Sequence, residues 1–417
     1  MIKLNILISA YAVSPTWGSE PGMGWNWIIN IAKYCNVHVI TESEWRNEIL
    51  EAVKELPQKD NLHFYFNPVP EKVRLMCWNQ GDWRFYWYYR KWQKQTLSIA
   101  KDIIKNNDID IIHQLNMVGF REPGFLWQIK SIPFVWGPIC GMDMIPVNYL
   151  INAGWKTKIK CIIKNNINKL QFRFYPRVRS AFNNASAVIC ATETAKQAVE
   201  KIYDKQCFFI NETGTEVNTK KNIPKRTEGV FNVLWVGRFI YTKRLDIALR
   251  SLALTSNASI QLTVCGTGSK EEVDKYHNLA VSLGINSRVK WLGKVNHDKI
   301  GQIMMDSDLF FFTSIMEATS TVVLEAISYQ LPILAFNTCG FGPLVKKFAG
   351  ITIELSNENQ SIREFAEKLD YLSENRNILN QISENEENNS YMLSWDYKAK
   401  TMLSIYKTIS NPDVRNT

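Results

Sequence analysis

Two cations, Arg238 and Lys243, and two carboxylates, Glu317 and Glu325, stand on separate short segments of the C-terminal half of the chain. An arginine offers a planar fork for two phosphate oxygens and a lysine a compact mobile charge, so the pair suits a leaving diphosphate. Glu325 falls early in a helical pattern, where a carboxylate can accept hydrogen bonds from two neighbouring ribose hydroxyls; Glu317, in the preceding loop, can reach a sugar. The backbone N–H groups of 318–322, with Ser320, Thr321 and Val322 among them, lie near a helix start, an end that attracts phosphate. Gly266 and Gly268 mark another turn at which backbone can approach a ligand, although a plain tight turn explains them equally. The bland reading of the whole set is surface cations around a loop, a favourable early-helix acid and a solvated glutamate. Co-occurrence at matching strand ends argues against it.

The elements that must position these residues are legible as alternating runs. An apolar stretch, 308–312, ends at Thr313-Ser314 ahead of Glu317, and 321–327 is helix-like, so the two glutamates flank a strand-to-helix turn. Buried strands at 231–237 and 260–266 run into Arg238 and into the Gly266-Thr267-Gly268 turn. Helices over 245–254 and 270–283 and a strand at 289–292 complete the rhythm. In the first half, strands are expected at 6–8, 37–41, 62–66, 109–113, 134–137 and 187–190, with a helix over 25–34. Strands separated by helices predict α/β structure with parallel, doubly wound sheets. The polar stretch 218–228, rich in Lys, Arg and Pro, reads as a linker. The division expected is 1–210, 211–392 and a terminal helical segment, 393–417.

A chain of 417 residues exceeds one average core, which fits two domains of roughly 200 residues. With 46% hydrophobic and 21% charged residues it has an ordinary globular composition. No run of about 18 to 20 apolar residues announces a membrane span. The opening MIKLNILISAYAVSP reads as a first buried strand rather than a leader. The 8 cysteines are scattered without a C-x-x-C pair, which argues against a zinc site or disulfide framework and for reduced thiols in the cytoplasm. A net charge of +9 favours an anionic partner.

The N-terminal half adds weaker signals. Gly18 to Gly24 form a glycine-rich segment after the first strand, whose backbone N–H groups could contact phosphate or an acceptor. His113 ends a strand and admits two readings, a sugar contact or a hydrogen bond within the core. Asn116 and Arg121 follow it as candidates for acceptor contact, and Trp136-Gly137-Pro138 either admits substrate or makes a rigid turn. Residues 83–92 interleave aromatics with cations, and 155–179 carries eight lysines and arginines without an acid. That pattern suits an anionic membrane surface as well as a solvated amphipathic helix. No nucleic-acid module is recognisable, and an acidic pair in the site would repel a polyanion, so no nucleic-acid partner is expected.

The segments SIMEATSTVVLEAISYQLPI and VGRFIYTKRLDIALRSL resemble the E-x7-E and G-R-x4-K elements of the retaining glycosyltransferases of family 4. The resemblance extends more loosely to the strand-G-x-G at Gly266, to the first glycine loop and to Thr213-Gly214-Thr215-Glu216. It implies the GT-B fold, two Rossmann-like domains with parallel sheets facing a central cleft. It also implies a retaining transferase that moves a sugar from a nucleotide-diphosphate sugar to a glycan or lipid-linked acceptor, as in cell-surface polysaccharide synthesis, with no metal and no cofactor beyond the donor. In that frame Arg238 and Lys243 hold the donor phosphates, Glu317 and His113 serve the reacting sugar, and Gly22, Gly266, Gly268, Ser320, Thr321, Val322 and Glu325 surround the nucleotide sugar. The chain departs from the family pattern where Met23 replaces a second glycine and Gln114-Leu115 follow His113 without a second histidine. A nucleotide-sugar epimerase and a non-catalytic carbohydrate- or membrane-binding scaffold are the alternatives.

Overall fold

The computed structural model describes residues 3–79, 82–150, 154–216, 229–318, 320–348 and 350–411. The expected linker 218–228 and residues 412–417 lie outside the described residues. The chain forms two compact units: the first comprises 1–142, 167–214 and 395–417, the second 143–166 and 215–394. The contiguous division expected from sequence is thus interrupted by the stretch 143–166, which packs with the second unit. Tyr149 explains this: its ring meets Phe336 edge-on at 5.7 Å, and its hydroxyl bonds Ser361 at 2.6 Å.

In the first unit seven strands, β1 (Asn5–Ser9), β2 (Asn36–Thr41), β3 (Leu62–Phe66), β4 (Ile111–Gln114), β5 (Phe134–Ile139), β6 (Ala187–Cys190) and β7 (Cys207–Phe209), lie in the order β3-β2-β1-β4-β5-β6-β7. Every neighbouring pair is parallel; Ile6, for example, pairs with Val37 on one side and Ile111 on the other. Interior strands such as β5 and β6 are buried along their whole length, which is why they read as continuous apolar runs rather than alternating ones. The first helix spans Ser19–Ile31, not 25–34. Proline and glycine made its first turns look like loop. Pro21 is tolerated there because the first N–H groups of a helix have no intrahelical partner.

The helix Trp395–Ser410 completes this unit. The Trp27 and Trp395 rings meet edge-on at 5.8 Å, and Tyr34 donates to Asp396 at 2.6 Å. Its Tyr406 lies 2.5 Å from His113 Nδ1, while His113 Nε2 lies 2.6 Å from the Gly137 carbonyl oxygen. A carbonyl only accepts, so Nε2 carries the proton and Nδ1 accepts from the tyrosine.

The second unit has six parallel strands, β8 (Phe231–Val236), β9 (Ile260–Cys265), β10 (Val289–Gly293), β11 (Leu309–Phe312), β12 (Ile333–Phe336) and β13 (Ile351–Ile353), in the order β10-β9-β8-β11-β12-β13. Both units are therefore open, doubly wound, Rossmann-like sheets. In each the strand order reverses beside the first strand, at β1/β4 and at β8/β11, the place where such sheets bind ligands beyond the strands' carboxyl ends.

Complete burial pushes the His113 pKa down from 6.5 to about 4, so the folded chain holds the ring neutral. The unfolded chain binds that proton more readily, so the ring's contribution to stability is fully present above about pH 6.5 and is lost as pH falls toward 4. His113→Gln is expected to flatten the acid limb of the stability curve by up to about 3 kcal/mol. Urea unfolding between those pH values measures it, and an unchanged limb would contradict the assignment.

Candidate functional site

Three turns of the second unit project from neighbouring strands, β9, β8 and β11, and carry most of the residues singled out in sequence. After β8 the chain passes Gly237 and an exposed Arg238 into a short 3-10 turn, Tyr241–Lys243, before the helix Leu245–Leu254. After β11 it passes Thr313 and Ser314, both fully buried, to Glu317 and then to the helix Thr321–Ser328. β8 and β11 pair directly, so these turns meet across the reversal of strand order.

The meeting is covalently remote but closely bonded. Trp235 Nε1 donates to the Thr313 hydroxyl at 3.0 Å, and that hydroxyl donates to the Lys243 carbonyl at 2.9 Å. The Ile315 N–H donates to the Thr242 carbonyl at 2.9 Å. With the two backbones stitched together, the Lys243 ammonium forms an ion pair with the Glu317 carboxylate and stands 5.0 Å over the Phe312 ring. Both charged side chains are largely covered, at 13% and 17% exposure, and Ser314 adds a 3.0 Å hydrogen bond to Glu317. A second anchor comes from the turn after β12: the Glu317 N–H points at Cys339 Sγ at 3.4 Å, and the Gly340 N–H donates to the Ala318 carbonyl at 3.1 Å. Burial pushes the Cys339 thiol up to about 12, so it stays a neutral packing group.

Arg244, which sequence reasoning passed over, fixes the other side of Lys243. It is only 1% exposed, adopts φ +49°, and pairs with Asp246 at 2.7 Å and Glu358 at 2.8 Å. A left-handed, buried arginine beside an exposed arginine and a half-buried lysine is the signal that its charge is structural; its partner Glu358 is too distant in sequence to be guessed. Ser314 is the other residue missed, and its position directly after the strand could have marked it.

Gly266 and Gly268 sit against the β8 turn. Gly266 has φ +155°, and a Cβ there would lie 1.8 Å from the Gly237 carbonyl oxygen; one on Gly268 would meet the Phe239 Cβ at 2.8 Å. The Phe239 N–H donates to the Thr267 carbonyl at 2.9 Å. These glycines bring two strand ends together. Ser320 is buried at the start of the Thr321–Ser328 helix, with Thr321 exposed and Val322 and Glu325 half-buried on it. Thr319 lies outside the described residues. Among the described residues no group of three His, Cys, Asp or Glu side chains is arranged to hold a metal ion.

The N-terminal candidates are engaged within the first unit. His113 has both ring nitrogens bonded inside the core, the second of its two sequence readings. Gly22 lies in the first turn of the Ser19–Ile31 helix, where a Cβ would come 2.3 Å from the Trp17 carbonyl oxygen, and the Pro21 carbonyl accepts from the Ser14 N–H. Its smallness serves that close backbone approach. Asn116 is buried and donates to the Ala12 carbonyl at 2.5 Å, Arg121 is held by Asn168 and by Gln171 at 2.9 Å, and Gly137 packs on the Ile189 carbonyl.

With this geometry established, comparison with known proteins is informative. The model of the family described as glycosyl transferases group 1 matches residues 216–389, the stretch that carries the whole β8–β11 site. An uncharacterized glycosyltransferase of Methanocaldococcus jannaschii is 25% identical over 178 residues, 42% of this chain and 44% of that protein. The capsular polysaccharide biosynthesis glycosyltransferase CapH of Staphylococcus aureus is 29% identical over 250 residues, 54% of this chain and 66% of that one. The chain thus spans less than two thirds of either relative. Among solved structures, HepE of Anabaena in complex with UDP and glucose superposes with a TM-score of 0.60 at 16% identity, over 97% of this chain and 99% of that one, a likeness of fold.

Gly266→Ala is expected to cost about 1–3 kcal/mol, because the new methyl group displaces the Gly237 carbonyl. Chemical denaturation of the variant reads this directly, and a neutral result would mean the two turns can separate freely.

Proposed function

We propose, from the premise that the chain belongs through residues 216–389 to the group 1 glycosyl transferases, that it transfers a sugar from a nucleotide-diphosphate sugar to a hydroxyl of a glycan or lipid-linked acceptor. The observation that carries this reading is the half-buried pairing of Lys243 with Glu317 at the β8/β11 reversal, beside the exposed Arg238. A lysine ammonium has three donors, so it can hold a phosphate oxygen while remaining beside its carboxylate. Arg238 would supply the fork for a second oxygen.

The step we assign is retaining. The bond from the sugar's anomeric carbon to the β-phosphate oxygen breaks, and the acceptor oxygen bonds that carbon from the same face. The acceptor's proton passes to the departing phosphate. Charge grows on the β-phosphate as the bond breaks, and Arg238 and Lys243 stabilise it more in the transition state than in the ground state, which is what lowers a barrier. This supports a metal-independent reaction, since the cations stand where phosphate charge needs neutralising. Glu317 orients the sugar and Glu325 the ribose, while the N–H groups at the start of the Thr321–Ser328 helix favour the phosphates. The free cysteines suit a reducing compartment, and the likeness to CapH supports an acceptor in cell-surface polysaccharide synthesis.

Lys243→Ala and Arg238→Ala should each lower turnover by at least about a hundredfold, the scale for losing one charge-stabilising donor. Near-native rates in both would place the phosphate site elsewhere. Glu325→Ala should chiefly weaken nucleotide affinity and Glu317→Ala chiefly turnover; titration calorimetry with UDP and GDP beside initial rates separates the two. Turnover is expected to survive a chelator such as EDTA, and its abolition would overturn the metal-independent step.

A further inference from the structure

The helix Trp155–Phe174 has two opposed faces, and only one of them is accounted for by packing. Cys161 is buried with Ile145 and Leu150, Asn165 bonds both backbone groups of Ile145, Asn168 donates to the Gly141 carbonyl, and Phe172 packs on Phe120 and Phe182. Residues 161, 165, 168 and 172 recur at helical spacing and define the anchored side. At about 100° per residue, Trp155, Ile159, Ile163, Ile167, Leu170 and Phe174 fall roughly half a turn away from it. They form an outward-pointing stripe, interrupted by the exposed Asn166 and, toward its two ends, by Lys156 and Arg173. Each apolar residue of the stripe is between 47% and 68% exposed, and with Ile162 they are seven of the 22 exposed large apolar side chains among the described residues of the chain. Scattered exposed apolar residues need no explanation, but this concentration on one helix does.

The flanks of the stripe identify what covers it. Lys158 and Lys169 border it on one side and Lys160 and Lys164 on the other, and the helix contains no aspartate or glutamate. Such side chains can lay their alkyl stems along an apolar surface while lifting their charges to phosphate height. A protein partner would meet unpaired positive charge on both borders, whereas an anionic bilayer offers acyl chains to the stripe and lipid phosphates to both rows. Among the described residues no helix is long and apolar enough to cross a membrane. The aromatic-basic stretch 83–92 contributes less than its composition suggests. Phe85, Tyr89 and Trp92 are buried around Tyr11, leaving Trp83, Tyr86 and Trp87 exposed at the start of the helix Phe85–Asn106.

We propose that the helix Trp155–Phe174 is an interfacial helix that docks the protein on an anionic lipid surface. The inference stands on this helix alone and not on the sugar-transfer reading. The test is co-sedimentation of the full chain with vesicles of phosphatidylcholine alone and of phosphatidylcholine with phosphatidylglycerol in equal parts. Binding is expected only to the anionic vesicles and should fall as salt is raised. Ile163→Glu combined with Leu170→Glu should abolish it. Lys158→Gln, Lys160→Gln and Lys164→Gln should each weaken it about fivefold, the attraction of one cation to such a surface. Nucleotide-induced thermal stabilisation should be unchanged in every variant, which shows that the fold and the donor site are intact and keeps the two proposals separable. Equal binding to neutral and anionic vesicles, or none to either, would overturn the inference. So would a dimer in sedimentation velocity that the Ile163→Glu, Leu170→Glu variant disperses without any vesicle binding in the parent.

Discussion

The Lys243–Glu317 ion pair exists because two backbones that are distant in sequence are held side by side at the carboxyl ends of two central strands. Thr313 and Ile315 from one turn bond the carbonyls of Lys243 and Thr242 from the other, and the parallel pairing of β8 with β11 sets the distance between them. Removing two charges from water is costly unless each is compensated, and here each meets the other plus further polar or aromatic contacts. The arrangement is preorganised: the lysine is fixed in position and partly desolvated by the protein itself.

Two of the six non-glycine residues at positive φ among the described residues support this pair. Arg244 adopts a left-handed conformation and buries its guanidinium between two carboxylates, and Cys339 is left-handed in the turn that supports Glu317. Gly266 lets a neighbouring turn press against Gly237. Non-glycine residues at positive φ cost free energy that surrounding contacts must offset, and at Arg244 two ion pairs do so.

Much of this was legible in sequence for a physical reason. The strand 309–312 is buried on both faces, and a fully buried parallel strand writes itself as an uninterrupted apolar run; 231–236 departs from this only at Asn232. The turns carrying Arg238, Lys243, Glu317 and Glu325 followed from where those runs stop. The short strands β7 and β13, three residues each, were not legible, because so brief a run carries no period. Nor was β12, since Pro332 directly before Ile333–Phe336 reads as a turn signal that breaks the apolar run. Packing between remote segments was equally silent: nothing local in 143–166 announces that Tyr149 will meet Phe336, and nothing near Arg244 announces Glu358. His113 shows the opposite limit, since a histidine at a strand end looks the same whether it faces a ligand or a distant tyrosine.

The interleaving of the two units has a bearing on biosynthesis. A ribosome releases the chain from its amino end, and nearly all of the second unit is out before residues 395–410 appear. Until then Trp27, Tyr34 and His113 lack their partners on the last helix, so the half that is made first is finished last. An apolar face on its opening helix must wait, exposed or shielded by other proteins, for the length of one translation.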